Sequence, residues 1–255
     1  MNRKLALITG GTSGIGFGIA KKLATQYDLA LSYGFDETKA NESLQQMKSE
    51  FPNSNIQIFK QLLTNYQDCK LLFQTVSTSF SQGPSILVNS AGRLVDGLFL
   101  QADFEKYASV VDEHLIVTMA LSQLCLKSMY KDRWGRIINL SSISASFSKR
   151  GQSNYAAAKA GIEAFSKTLA LEVAHRGVTV NCIAPGLIET PMTKNFVAQV
   201  AASDQQLKNR IPAGRMGKAD EVGALAAFLC SEDAAYMTGT INVIDGGRSL
   251  GDSSS

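Results

Sequence analysis

Leu5-Ala-Leu-Ile8, followed by Thr9-Gly10-Gly11-Thr12-Ser13-Gly14-Ile15-Gly16, is the stretch that decides the architecture. A short apolar run that ends in a glycine-rich turn reads as a buried strand, and the turn leads straight into a helical pattern. Glycines in such a turn permit a tight bend, let the backbone approach a pyrophosphate and bring helix against sheet, while the helix N-terminus attracts phosphate charge. A glycine-rich loop alone is weak evidence. Here a strand stands before it and a helix after it, which is the context a dinucleotide site requires. The same run reads as a first strand rather than a secretory leader, because the apolar segment after Arg3-Lys4 is too short.

Outward from this turn, strand-like runs near 4–9, 28–33, 55–60, 85–89, 136–141, 178–183 and 240–244 alternate with helical segments near 14–26, 37–50, 66–81, 103–131, 153–176 and 218–230. The alternation predicts an α/β fold, a doubly wound parallel sheet of about seven strands with helices on both faces. One domain over 1–250 and a frayed tail over 251–255 are expected. Residues 185–217, with Pro191 and Pro212, are too many for a simple crossover and read as a substrate lid or a structural excursion.

The 255 residues are 45% apolar and 18% charged, enough for a stand-alone core. A net charge of +3 without a long basic run makes no case for nucleic acid. No run approaches the roughly 18 apolar residues of a membrane span, so a cytoplasmic address is expected. Cys69, Cys125, Cys182 and Cys230 lack paired spacing and are expected to be reduced core thiols; no metal site is expected.

Tyr155-Ala-Ala-Ala-Lys159 places a phenol and an ammonium on one helix face. A free phenol is a poor proton shuttle near neutrality, and an adjacent cation is expected to lower its pKa. By itself the pair is common. Ser142, which ends the strand Ile137-Ile-Asn-Leu-Ser-Ser142, adds a hydroxyl at the carboxyl edge of a parallel sheet, where ligands bind.

Together the glycine loop, Asn89-Ser-Ala-Gly92, Ser142, the Tyr155/Lys159 pair and Pro185-Gly186 resemble the short-chain dehydrogenase/reductase family over essentially the whole chain. Within it, Gly151 to Gly161 and Asn181 to Thr190 are most similar to 3-oxoacyl-acyl carrier protein reductases and their acetoacetyl-CoA relatives. The resemblance implies a Rossmann-type domain in which Tyr155 is the acid/base, Lys159 its neighbour and a ribose ligand, and Ser142 the carbonyl polariser. It implies that Gly10, Gly14 and Gly16 line the pyrophosphate, that Thr12 and Ile15 also bind the cofactor, and that Ser13, Tyr33 and Phe35 surround the adenosine ribose. Asn89, Ala91, Gly92, Pro185 and Gly186 would lie beside the cofactor, and Ile188 and Thr190 would hold the nicotinamide carboxamide.

Departures from the family pattern carry information. His114 stands where many members have an Asn that organises a proton relay; it is expected to carry protons near neutrality, to block the relay, or simply to pack. Gly34 ends the second strand where NAD-preferring members have an acid, so NADP is favoured, with Tyr33 beside the ribose. Ser13 in place of a loop Arg, and Asp36 and Glu37 nearby, keep NAD possible. Arg133 and Arg176 fall where acyl carrier protein reductases present arginines to the acidic carrier, or they are solvated helix-end cations. Relatives are commonly homotetramers built on helices corresponding to 103–131 and 153–176. The expected reaction is NADPH-dependent reduction of a 3-oxoacyl thioester. Another ketone substrate, and a non-catalytic nucleotide sensor, remain as alternatives.

Overall fold

The computed structural model describes residues 3–193 and 211–250; the middle of the expected 185–217 lid and the 251–255 tail lie outside the described residues. The strands are β1 (Leu5–Ile8), β2 (Asp28–Tyr33), β3 (Ile56–Lys60), β4 (Ile86–Asn89), β5 (Gly135–Leu140), β6 (Val178–Pro185), β7 (Ile188–Glu189), β8 (Gly217–Lys218) and β9 (Ile241–Ile244). The helices are α1 (Gly14–Leu23), α2 (Glu37–Glu50), α3 (Tyr66–Phe80), α4 (Phe104–Val111), α5 (Val117–Asp132), α6 (Ser153–Val173) and α7 (Ala219–Cys230). Seven strands form one sheet in the order β3-β2-β1-β4-β5-β6-β9, parallel throughout, and β7 pairs with β8 apart from it.

Alternation along each strand builds two cores. Leu5 and Leu7 face one layer with Leu87, Ile137 and Val180, against Leu72 and Val76 of α3, Leu121 and Cys125 of α5, and Leu169 of α6. Ala6 and Ile8 face the other with Leu29, Leu31, Val88 and Ile138, against Ile19 of α1, Met47 of α2 and Val222 of α7. Because both faces are covered, the strands read as unbroken apolar runs rather than as alternating ones. Each fully buried Leu or Ile contributes roughly 1.5–3 kcal/mol. All four cysteines are buried and unbonded, and burial pushes the thiols up, to about 12 for Cys69 and Cys230 and about 11 for Cys182.

The strand order reverses between β1 and β4. The chain winds outward through β2 and β3, then returns past β1 to begin β4, so the connections leaving β1 and β4 diverge onto opposite faces and open a crevice at their carboxyl ends.

Two expected helices differ. The 103–131 helix is α4 and α5 joined by a π-helical turn, Asp112–Ile116, and the 153–176 helix passes into a 3-10 turn at Ala174–Arg176. The helical stretch Phe104–Asp132 is long enough, and one 18-residue window of it at a mean hydropathy of 1.2 apolar enough, to pass for a membrane span by length and composition. More than half of that window is buried inside the protein, where it covers the sheet between α3 and α6.

Candidate active site

The crevice is floored by two loops that are tied together. Thr9, at the end of β1, accepts hydrogen bonds through Oγ1 from the backbone N–H groups of Ser90 (3.0 Å) and Ala91 (2.9 Å) beyond β4. Gly10 and Gly14 take positive φ values of 63° and 54°. Gly16 sits so close to the Gly10 carbonyl that a Cβ there would collide with backbone. Ser13 precedes α1 without forming a side-chain cap, and the first turn of α1 carries no acid. Its N–H groups and the positive end of the helix are therefore available to an anion. Thr12 is buried, its carbonyl accepting from Ser43 of α2, and Ile15 packs into the core below.

Thr190 borders this cradle from across the crevice, its methyl group 3.5 Å from where a side chain on Gly14 would begin. The segment that brings it there is held by hydrogen bonds. Pro185 pairs with Ile244 at the sheet edge, and the Gly186 N–H donates to the Ile244 carbonyl at 3.0 Å. Ile188 is buried, and its carbonyl accepts from Thr193 Oγ1 at 2.7 Å. Asn89 is buried at the end of β4, where its Nδ2 donates to Asn139 Oδ1 (2.8 Å), while its Oδ1 lacks a partner. An orphaned buried acceptor, an uncapped helix N-terminus and a glycine cradle that side chains would fill suit a nicotinamide dinucleotide.

Beyond β2, where the resemblance expects the ribose, Tyr33 is half-buried and Phe35 is exposed. Both nearby acids are engaged: Asp36 caps α2 by accepting from the Lys39 N–H at 2.8 Å, and Glu37 pairs with Lys60 at 2.8 Å.

Ser142, Tyr155 and Lys159 converge beyond the carboxyl ends of β5 and β6. Ser142 follows β5, its Oγ accepts the Ser144 N–H at 3.1 Å, and it lies near enough to the Tyr155 phenol to favour its ionised form. Asn154 anchors the start of α6: its Nδ2 donates to the carbonyls of Val95 (3.2 Å) and Tyr107 (3.3 Å). Lys159 is buried, its Nζ donating to the Leu140 carbonyl at 2.5 Å and lying 5.4 Å from the centre of the Tyr155 ring. Burial pulls its pKa down to about 8.

The phenol corrects an expectation. Its pKa is raised above 10.0, first by burial, with the Ser142 hydroxyl lowering it and the Asp96 charge raising it further. The ammonium is spent on a carbonyl and lies over the ring rather than against the hydroxyl, so it does not offset desolvation.

His114 requires a second correction. It lies in the π turn, is buried, and meets the Tyr155 ring edge-on with centres 5.3 Å apart. Burial, helped by the Lys159 charge, lowers its pKa to about 3 against the opposing hydrogen bond to Arg93. It therefore carries no charge near neutrality and cannot serve there as an ordinary proton carrier.

Arg133 and Arg176 are not at this site. They precede β5 and β6 and so stand at the amino edge of the sheet, roughly 20 Å from its carboxyl edge at about 3.3 Å per strand residue. Arg133 donates to the His175 carbonyl at 3.2 Å; Arg176 donates to the Tyr130 carbonyl and lies over the Tyr130 ring.

Sequence reasoning missed the supports. Asn139 passes the hydrogen bond from Asn89 to Ser166 Oγ at 2.8 Å, and Ser166 continues it to the Ile162 carbonyl. An Asn inside the apolar run of β5 was the available signal, since a buried amide requires partners. Nothing in the sequence pattern pointed to Arg93, which binds Glu113 through Nε (2.8 and 2.9 Å) and Nη2 (2.6 Å).

A family model described as enoyl-(acyl carrier protein) reductase matches residues 10–249, and the chain belongs to the short-chain dehydrogenase/reductase family. It is an NAD(P)-dependent oxidoreductase. It is 38% identical over 247 residues to the 3-oxoacyl-(acyl-carrier-protein) reductase FabG of Vibrio cholerae, covering 96% of each chain. To the protein of the same name from Haemophilus influenzae it is 37% identical over 250 residues, 98% of this chain and 100% of that one. Among solved structures, YwfH, an NADPH dependent reductase involved in bacilysin biosynthesis, superposes with a TM-score of 0.89 over 97% of this chain and 98% of that one. At 24% identity this is a likeness of fold alone.

Proposed function

We propose that this chain reduces the ketone of a 3-oxoacyl thioester to the 3-hydroxy product with NADPH, through Ser142, Tyr155 and Lys159. The observation that carries the reading is the buried Lys159, its ammonium 5.4 Å from the centre of the Tyr155 ring and bonded to the Leu140 carbonyl, with Ser142 close beside the phenol at the carboxyl edge of the sheet. The reaction in the printed names of the FabG relatives supports the substrate class. Bound nicotinamide supplies the hydride. Ser142 hydrogen-bonds the ketone oxygen, and Tyr155 gives its phenolic proton to that oxygen as negative charge develops there. Lys159, held by the Leu140 carbonyl beside the ring, is placed to bind the cofactor ribose.

The cradle from Gly10 to Gly16 holds the pyrophosphate, and Ile188 and Thr190 hold the nicotinamide end. NADPH is the better fit because Asp36 and Glu37 are engaged and Gly34 offers no carboxylate to a ribose hydroxyl. β7 and β8, near the two ends of the expected 185–217 lid, pair with each other. The chain acts as one cytoplasmic domain.

Assembly into a homotetramer completes the reading. A groove of about 450 Å³ on the outer side of α5 and α6 is lined by Ile116, Met119, Leu126, Phe165 and Leu169. A second copy packed two-fold across it runs antiparallel, carrying the Arg133 and Arg176 end of one chain toward the catalytic end of the other. The arginines then present an acidic carrier to a neighbouring site. A panel of acetoacetyl-CoA, a carrier-linked 3-oxoacyl substrate and simple ketones, run with NADPH and NADH, tests the proposal. Preference for NADPH and a 3-oxoacyl thioester is expected, and nucleotide binding without turnover of any ketone refutes it.

A further inference from the structure

Arg93 makes two contacts to consecutive residues of the π turn. Its guanidinium grips the Glu113 carboxylate at 2.6 to 2.9 Å, and its backbone carbonyl takes a hydrogen bond from His114 Nε2 at 2.9 Å. Glu113 is nine-tenths buried, so the grip fixes the turn rather than decorating a surface. A carbonyl can only accept, which assigns the imidazole proton to Nε2 and leaves Nδ1 bare. Nδ1 is fully buried and has no partner. Gly92 faces the same edge of the ring, and a Cβ there would overlap it. On the other side stands Tyr155, edge to face, with Lys159 one helical turn along α6. A π turn inside a long helix is itself a feature that recurs at functional sites.

We propose that Arg93 is a positioning residue: it clamps the π turn so that His114 is held as a neutral Nε2–H imidazole, bracing the Tyr155 ring and keeping Nδ1 as a buried acceptor for a hydroxyl or water of the loaded site. The charged groups around the imidazole agree with this arrangement. Lys159 on α6 opposes a second cation; Glu113, the carboxylate on the turn, is engaged by Arg93; and Asp96, on the loop after Arg93, is bound by Gln152 at 2.9 and 3.0 Å. The inference deepens the proposed function and rests on its reading of Tyr155.

The chain holds only two histidines, His114 and His175, so ¹⁵N-imidazole NMR resolves both once His175→Gln assigns them. In the parent protein His114 is expected to show one protonated and one bare nitrogen, unchanged between about pH 5 and 8. Arg93→Met is expected to mix the tautomers and to lower kcat by about tenfold or more with KM little changed, as a displaced Tyr155 would. Glu113→Gln, which keeps the shape and weakens the grip, serves where Arg93→Met fails to fold. His114→Asn, able to donate and accept, should recover more of kcat than His114→Phe. Ordinary titration of His114 in the parent, or an Arg93→Met protein with unchanged tautomer and kcat, overturns the clamp. A parent that reduces no ketone refutes the proposed function, while the imidazole spectra still decide the clamp.

Discussion

At the residue scale the proposed chemistry rests on two side chains that burial moves in opposite directions. Tyr155 is held above its ordinary value and Lys159 below its own, at about 8. Tyr155 thus stays protonated at neutral pH, the form a proton donor needs. Replacing it by Phe should lower turnover by roughly 10²–10⁴-fold, read as NADPH consumption, while nucleotide affinity changes little. Lys159 loses its charge as pH rises through about 8, so ketone reduction should decline there, with no limb near 6.5 from His114. His114 also makes stability depend on acid. Its folded pKa, about 3, lies below the unfolded 6.5, so the unfolded chain binds more protons between these values. Its contribution is complete above 6.5 and is lost as pH falls toward 3. Urea unfolding of His114→Asn should therefore show a flatter pH dependence across that window.

At the element scale the turn between β1 and α1 does two jobs. It brings the helix N-terminus up to the crevice, and it allows the Gly16 backbone to rest against the Gly10 carbonyl. Gly16→Ala would place a methyl group into that carbonyl, which cannot yield as a flexible side chain does. The loop should shift, weakening nucleotide binding by about tenfold or more while the protein remains folded, as measured by fluorescence titration beside a thermal melt. The π turn between α4 and α5 is the counterpart on the catalytic side. It re-aims one residue of a long helix without ending the helix.

For the whole molecule, the uncovered flank of α5 and α6 is the feature a monomer leaves unexplained. Phe165 is half-buried in that groove. In the proposed tetramer, Phe165→Glu should place a charge in the interface, shift sedimentation toward smaller species, and reduce turnover of a carrier-linked substrate more than that of its CoA analogue. A variant that stays tetrameric would show that assembly uses another face. Arg133 stands at the amino edge of the sheet and Tyr155 at the carboxyl edge, so the proposed carrier preference would be a property of the proposed assembly.

Much of this was legible in the residues themselves. Strand positions, the parallel winding, the glycine turn and the Ser142, Tyr155 and Lys159 set follow from local patterns, since periodicity and turn chemistry are short-range properties of a chain. What sequence alone could not supply is the protonation chemistry. Whether an ammonium lowers a phenol, whether a histidine holds a charge, and which edge of the sheet two arginines occupy depend on desolvation and on neighbours distant along the chain. Arg93 reaching Glu113, Lys159 reaching Leu140 and Asn89 reaching Asn139 are such pairings, each made only when the folded chain excludes water around them.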